Sequence, residues 1–230
     1  MSDIAGNLAI IRKRVEEAAS RTGREVDLLV VSKTWPAEIV RGAVDAGQIK
    51  FGENRLQEGE EKIPVLPDSL EWHFIGGLQS NKVRRVLSLF PVVHSLSSMK
   101  LVRFANRIAG ELELIPKVFL EVNIGNEESK HGFSPDGLRE SLEEILSSGH
   151  LDLQGLMCIP PRVGSPEEAR PWFAKVRELQ DELESRAGRM FPGLSMGMSG
   201  DFEVAIEEGS TIVRVGSAIF GPRLNSPTKQ

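Results

Sequence analysis

Short apolar runs alternate along the chain with stretches whose apolar residues recur at helical spacing. Ile4, Leu8, Ile11 and Val15 recur at i, i+4, i+7 and i+11, which predicts a helix over residues 3–21 with one buried stripe. Residues 27–32 form an apolar, β-branched run of the kind buried on both faces in parallel sheets. Pro36 suits the first position of a second helix, whose face is Ile39, Val40, Ala43 and Val44 and which Gly47 stops. The alternation then repeats. Strands are predicted at 49–52, 71–76, 91–95 and 117–123, separated by helices near 54–63, 78–89 and 97–110.

Ser134-Pro135 caps a helix carrying Leu138, Leu142, Ile145 and Leu146, with Gly149 expected to close it. A sixth strand is predicted over 151–158. Ser165 and Glu168 have capping-box spacing and open a helix with face Trp172, Val176, Leu179 and Leu183, in which Pro171 is expected to delay or kink the second turn. Strands at 194–197 and 211–216 flank a helix over 200–208. Eight strands, each preceded by a helix, are the pattern of a single (β/α)8 barrel, and 230 residues approach the roughly 250 typical of it. The rival, a doubly wound open sheet, has a glycine-rich first turn that Val31-Ser-Lys-Thr34 lacks. No linker divides the chain, so one domain over 1–230 is expected, with a loose tail from about 222.

Composition narrows the functions available. A net charge of −5 argues against a nucleic-acid binder, and the short basic cluster Lys82, Arg84, Arg85 reads as a solvated helix face. The start of the chain carries an early acid and a broken apolar run, unlike a signal peptide, and no run reaches the about 18 apolar residues of a membrane helix. A soluble cytoplasmic protein is expected. One cysteine excludes a disulfide framework or a cysteine-based zinc site. The chain has no tyrosine, so no phenol is available as a general acid or base.

In a barrel of this kind the chemistry lies at the C-terminal ends of the strands. Lys33 ends the first, apolar strand, where a desolvated amine can form a Schiff base with a carbonyl, although for a lone lysine there snorkelling to the rim is the favoured reading. Gly197-Met198-Ser199-Gly200 and Gly216-Ser217 follow strands seven and eight, where barrels often bind phosphate through backbone N–H groups. Together they suggest a phosphorylated carbonyl compound held between strand one and strands seven and eight. Arg214 shares the inward face of strand eight with Ile212 and Gly216, and there it needs a partner. That partner is a structural carboxylate, Glu53 or Glu121, or a ring nitrogen of a bound cofactor.

These residues fall in stretches that resemble the pyridoxal phosphate homeostasis protein family, single-domain relatives of the barrel domain of bacterial alanine racemase. The matching stretches are Val31-Ser-Lys-Thr34, Phe51-Gly-Glu-Asn54, Trp72-His-Phe-Ile-Gly76, Leu78-Gln-Ser-Asn-Lys82, Val122-Asn-Ile-Gly125 with Lys130, Gly155-Leu-Met157 with Ile159-Pro-Pro161, Leu194-Ser-Met-Gly-Met-Ser199, and Val213-Arg-Val-Gly216 with Ile219-Phe-Gly221. They span almost the whole chain, in order. The resemblance implies that Lys33 carries pyridoxal phosphate as a Schiff base. It implies that Gly197, Met198, Ser199, Gly216 and Ser217 hold the phosphate, that Arg214 faces the pyridine nitrogen, and that Asn54 lies beside the cofactor. It also implies a monomer that buffers pyridoxal phosphate and influences amino-acid pools without established turnover, with enzymes lacking their cofactor as recipients. Lys82 and Lys130 are solvated lysines by ordinary expectation and transit sites for cofactor hand-over on the family reading. The chain departs from the family pattern at Arg55, where tyrosine is usual, at Ser217 for threonine, at Gly77 for proline, and at Ser97 for aspartate.

Two enzymatic alternatives remain at the level of sequence. A low-activity amino-acid racemase needs a second base opposite Lys33. The resemblance implies that alanine racemase takes it from a tyrosine, which this chain lacks, leaving His73, His94 or Cys158, each also readable as a core residue. A Schiff-base aldolase acting on a sugar phosphate would use the same lysine without a coloured cofactor.

Overall fold

A computed structural model describes residues 3–222. Helix α1 (Ile4–Thr22) leads into β1 (Asp27–Val31), and the alternation continues through α2 (Ala37–Asp45), β2 (Lys50–Glu53), α3 (Leu56–Lys62), β3 (Glu71–Phe74), α4 (Val83–Leu89), β4 (Val92–Leu96), α5 (Met99–Glu111) and β5 (Lys117–Val122). It closes with α6 (Pro135–Leu146), β6 (Asp152–Cys158), α7 (Pro166–Ala187), β7 (Gly193–Met198), α8 (Phe202–Glu207), β8 (Ile212–Val215) and the one-turn α9 (Ser217–Phe220). The strands run in chain order around a closed parallel barrel, and β1 pairs with β8 to seal it, Leu29 opposite Arg214. The expected (β/α)8 barrel is what forms. The tail expected from residue 222 lies, apart from Pro222, outside the described residues. No helix among the described residues is long and apolar enough to cross a membrane.

Alternation along each strand divides the core in two. Outward residues such as Val30, Phe51, Trp72 and Val93 pack with the stripes of the helices. Inward residues Leu29, Val92, Phe119, Met157 and Ile212 form a separate cluster inside the barrel, with Ile75 against it. The inward positions are therefore not uniformly apolar, and His73, His94, Ser195 and Arg214 are buried among the strands as well.

The helices obey the predicted periodicity with local corrections. Leu8, Ile11, Val15 and Ala18 bury the face of α1. In α7 the buried stripe runs through Ala169, Phe173, Val176, Leu179 and Leu183, so Phe173 takes the place expected of Trp172. Pro171 neither delays nor ends α7, which runs from Pro166 through it; as the sixth residue it costs the second turn one backbone bond, which the helix tolerates. The expected capping box does not form. Ser165 Oγ donates to Glu168 Oε1 (2.9 Å) instead of capping a backbone N–H. Ser134 caps α6 as expected, its Oγ accepting from Gly137 N at 3.0 Å, but the helix ends at Leu146, three residues before Gly149.

Candidate functional site at the C-terminal mouth of the barrel

A cavity of about 350 Å³ opens at the C-terminal ends of the strands. Its lining includes Val31, Lys33 and Trp35 after β1, Asn54 after β2, Ile75 after β3, Met157 and Ile159 from β6 and its exit, Met198, Ser199 and Gly200 after β7, and Arg214, Gly216 and Ser217 around β8. The structure thus brings together Lys33, Asn54, Met198, Ser199, Arg214, Gly216 and Ser217. Gly197 is not on the lining. Its backbone is left-handed (φ 90°), and a Cβ there would lie 2.6 Å from the Ala205 side chain, so its role is to let α8 pack on β7.

Lys33 stands two residues beyond β1 in a half-buried turn. A cluster of buried charges holds that turn from behind. Lys62, only 4% exposed, donates from Nζ to Glu53 Oε1 (2.7 Å), to the Ser32 carbonyl (2.9 Å) and to Glu58 Oε2 (3.3 Å). Ser32 Oγ donates to Glu53 Oε1 (2.7 Å), and Thr34 N donates to Glu58 Oε2 (2.6 Å). Thr34 is left-handed (φ 70°), an unfavourable conformation for a β-branched residue, and the Glu58 carboxylate secures it. Both residues flanking Lys33 are therefore fixed by one cluster. Burial pushes the Glu53 carboxyl up to about 7 despite the Lys62 ammonium beside it. Burial pushes Glu58 the same way, but the Thr34 N–H and Lys62 outweigh it and hold that carboxyl below its ordinary range.

Arg214 is 5% exposed and carries no carboxylate partner among the described residues. The expected ion pair with Glu53 or Glu121 does not form, because Glu53 is taken by Lys62 and Ser32 and Glu121 makes no bond to the guanidinium. Instead one terminal nitrogen donates to the Ser195 carbonyl (2.8 Å) and Oγ (2.7 Å), and the other to the Cys158 carbonyl (2.8 Å). A guanidinium has five N–H groups, so these bonds leave the Nε–H and one terminal N–H without a protein acceptor among the described residues. Arg214 lines the cavity.

Just beyond Arg214 at the end of β8, Ser199 Oγ accepts from Gly216 N (3.4 Å) and Ala218 N (3.5 Å). Both bonds exceed the usual 2.7–3.2 Å, so these two N–H groups are weakly engaged and converge on one point beside Ser217. Such loosely held N–H groups are donors an anion could take. Asn54 Oδ1 is buried with no hydrogen-bond partner among the described residues, an acceptor a polar ligand atom could use. Gly76 allows the Asn54 backbone to sit there, since a Cβ at residue 76 would lie 2.0 Å from the Asn54 carbonyl oxygen. An amine, a cationic donor pair, two loosely held N–H groups and an orphan acceptor fit a phosphorylated pyridine aldehyde.

The remaining candidates fall elsewhere. His73 and His94 are buried inside the barrel, hydrogen-bonded to each other (2.8 Å), and do not line the cavity. Cys158 is buried and its thiol is pushed up to about 12 by desolvation. Arg55, the residue that departs from the family's tyrosine, is exposed and outside the lining, and pairs with Glu58 at the edge of the Lys62 cluster (3.8 Å). Lys130 pairs with Glu127 and donates to the Pro160 carbonyl (3.0 Å), while Lys82 ends a short 3-10 turn; neither lines the cavity. Sequence reasoning missed the Lys62 cluster, although Glu58 and Lys62 stand at the favourable i, i+4 spacing. It also missed α9, whose single turn leaves no periodicity to read.

Comparison with known proteins agrees with this geometry. The alanine racemase N-terminal domain family matches residues 6–224. A pyridoxal phosphate homeostasis protein of Aquifex aeolicus is 44% identical over 220 residues, covering 94% of this chain and 96% of that protein. The Escherichia coli (strain K12) protein of the same name is 42% identical over 236 residues, covering 97% and 98%. Among solved structures, PipY of Synechococcus elongatus with pyridoxal phosphate (PLP) bound superposes with a TM-score of 0.84 at 38% identity, covering 95% of this chain and all of that one. Alanine racemase of Clostridium difficile in complex with cycloserine shares the fold (TM-score 0.76, 16% identity), this chain covering 60% of it. The chain belongs to the alanine racemase N-terminal domain family and, within it, to the pyridoxal phosphate homeostasis proteins.

Proposed function

We propose that this protein binds pyridoxal phosphate as a Schiff base on Lys33 and acts in vitamin B6 homeostasis as a carrier of the cofactor, not as a catalyst. The observation that carries the reading is the convergence of three handles on one cavity: the Lys33 amine, the two uncommitted N–H groups of Arg214, and the weakly engaged N–H groups of Gly216 and Ala218 around Ser199. When bound, pyridoxal phosphate supplies an electrophilic carbonyl carbon and an electron-accepting ring. Lys33 would take the first, and Arg214 the ring nitrogen. Asn54 Oδ1 would accept a polar group at the ring edge, and Met157 and Ile75 would exclude water from the apolar part.

The same residues argue for a carrier. A guanidinium stays protonated and donates to the ring nitrogen, which keeps that nitrogen unprotonated and the ring a weak electron sink. Racemisation also needs a second base, and the chain's nearest alternatives are spent: His73 and His94 on each other, Cys158 on a thiol too basic to ionise near neutrality. The partners on this reading are pyridoxal phosphate and cytoplasmic enzymes awaiting it, and the single barrel acts as a monomer. After loading with pyridoxal phosphate and removal of unbound cofactor, the wild type should keep a yellow absorbance band that Lys33→Ala lacks. A sugar phosphate should give no such band, which separates the carrier from an aldolase. Deuterium wash-in at Cα of amino acids, at a rate near that of true racemases, would overturn the non-catalytic reading.

A further inference from the structure

A line of buried polar side chains crosses the barrel interior from the cavity to the opposite mouth. Arg214 donates to Ser195 Oγ (2.7 Å), Ser195 Oγ meets His94 Nδ1 (3.0 Å), His94 Nε2 meets His73 Nδ1 (2.8 Å), and His73 Nε2 meets Glu71 Oε1 (2.7 Å). Glu71 is the first residue of β3, and its side chain is 38% exposed at the N-terminal mouth. The links join β8, β7, β4 and β3 with no gap.

The two ends fix the direction of every bond. A guanidinium has no acceptor, so Ser195 Oγ accepts from Arg214 and gives its single proton to His94 Nδ1. His94 then carries its proton on Nε2 and donates to His73 Nδ1. His73 in turn carries its proton on Nε2 and donates to Glu71. The reverse order would strand the serine proton and set a bare imidazole nitrogen against a carboxylate. The surroundings of the rings favour two neutral imidazoles, as that order requires. Burial holds both imidazoles below their usual range, His94 strongly, with Arg214 and His73 acting in the same direction on it. Glu71 lies below the usual carboxylate range, first through its bond from His73 and also through Lys50 and Lys117. Lys50 lowers His73, while Asp27 acts against it from β1. His94 also stacks on Phe119, ring centroids 4.4 Å apart, which holds its plane.

We propose that Glu71, His73, His94 and Ser195 form one polarised hydrogen-bond chain that locks the Arg214 guanidinium in its cavity-facing pose, so that the N-terminal mouth of the barrel sets the electronic character of the ring-nitrogen end of the site. These are positioning residues, acting on a ligand only through Arg214. The electronic part rests on the cofactor reading above, while the direction of the chain does not.

Nitrogen-15 NMR of the protein without cofactor tests the chain. At pH 7 both rings should be neutral with the proton on Nε2 and Nδ1 bare. Ser195→Ala should cost His94 this single pattern. Either wild-type ring protonated on Nδ1, or charged at pH 7, overturns the proposal. With pyridoxal phosphate loaded, Glu71→Gln, a change at a half-exposed site, should shift the midpoint of the cofactor's absorbance against pH, as should Ser195→Ala. Unchanged midpoints in both variants overturn the electronic coupling. A protein that takes up no pyridoxal phosphate instead overturns the cofactor reading and leaves the imidazole signals as the measure of the chain.

Discussion

The two cations that face the cavity rest on opposite kinds of buried support. Behind Lys33 lies a charged cluster in which one ammonium, Lys62, serves two carboxylates, Glu53 and Glu58, outside the barrel wall. Behind Arg214 lies a chain of neutral groups inside the barrel, with formal charge only at its ends. A charged cluster is strong when intact and costly when one member is lost, because the survivors are buried and unpaired. A neutral chain costs less to break, since each link is one hydrogen bond. The difference suits the two tasks. Lys33 sits in a turn with a left-handed threonine, which needs firm anchoring, whereas Arg214 lies on a strand that already fixes its backbone.

Substitutions can break that contrast in graded steps. Lys62→Met removes the shared cation and should cost about 3–5 kcal/mol of unfolding free energy, the range for an uncompensated buried ion pair, measured by urea denaturation. A cost below about 1 kcal/mol would show that the cluster is decorative. The pH dependence sharpens the same point. The folded-state value of Glu53 is raised from 4.5 to about 7, so the stability it contributes is fully present below pH 4.5 and lost as pH rises through 7. That is on the order of 3 kcal/mol. Denaturation of wild type and Glu53→Gln at pH 5 and pH 8 should therefore show the wild type's advantage shrinking at the higher pH; a constant difference would contradict the account. His94→Asn, which interrupts the neutral chain, should cost less, about 1–3 kcal/mol, the penalty of leaving buried partners unsatisfied. Arg55→Ala removes only an exposed partner of Glu58 at 3.8 Å and should change stability by under about 1 kcal/mol.

Much of the fold was written in the periodicity, because parallel strands buried on both faces leave short apolar runs between amphipathic helices. The inward face of β8 was legible for the same reason, and Ile212, Arg214 and Gly216 do point into the barrel and its mouth. Helix faces were read less finely: Trp172 and Phe173 are adjacent, and only the packed barrel decides which turns inward. The site's cavity residues followed from the rule that chemistry gathers at strand C-termini. Its supports did not. Glu53 and Lys62 are 9 residues apart and His94 and Ser195 are 101 apart, so nothing local marks them as partners. Glu53 was one of the partners expected for Arg214, and the structure instead gives it to a lysine on α3.

The central claim is that Lys33 is the covalent anchor. Borohydride reduction of the loaded protein followed by peptide mass mapping tests it most directly. The account predicts a phosphopyridoxyl mass on the peptide containing Lys33 and on no other, and its loss in Lys33→Ala. The same mass on Lys62, Lys82 or Lys130, or an undiminished total in the variant, would contradict it.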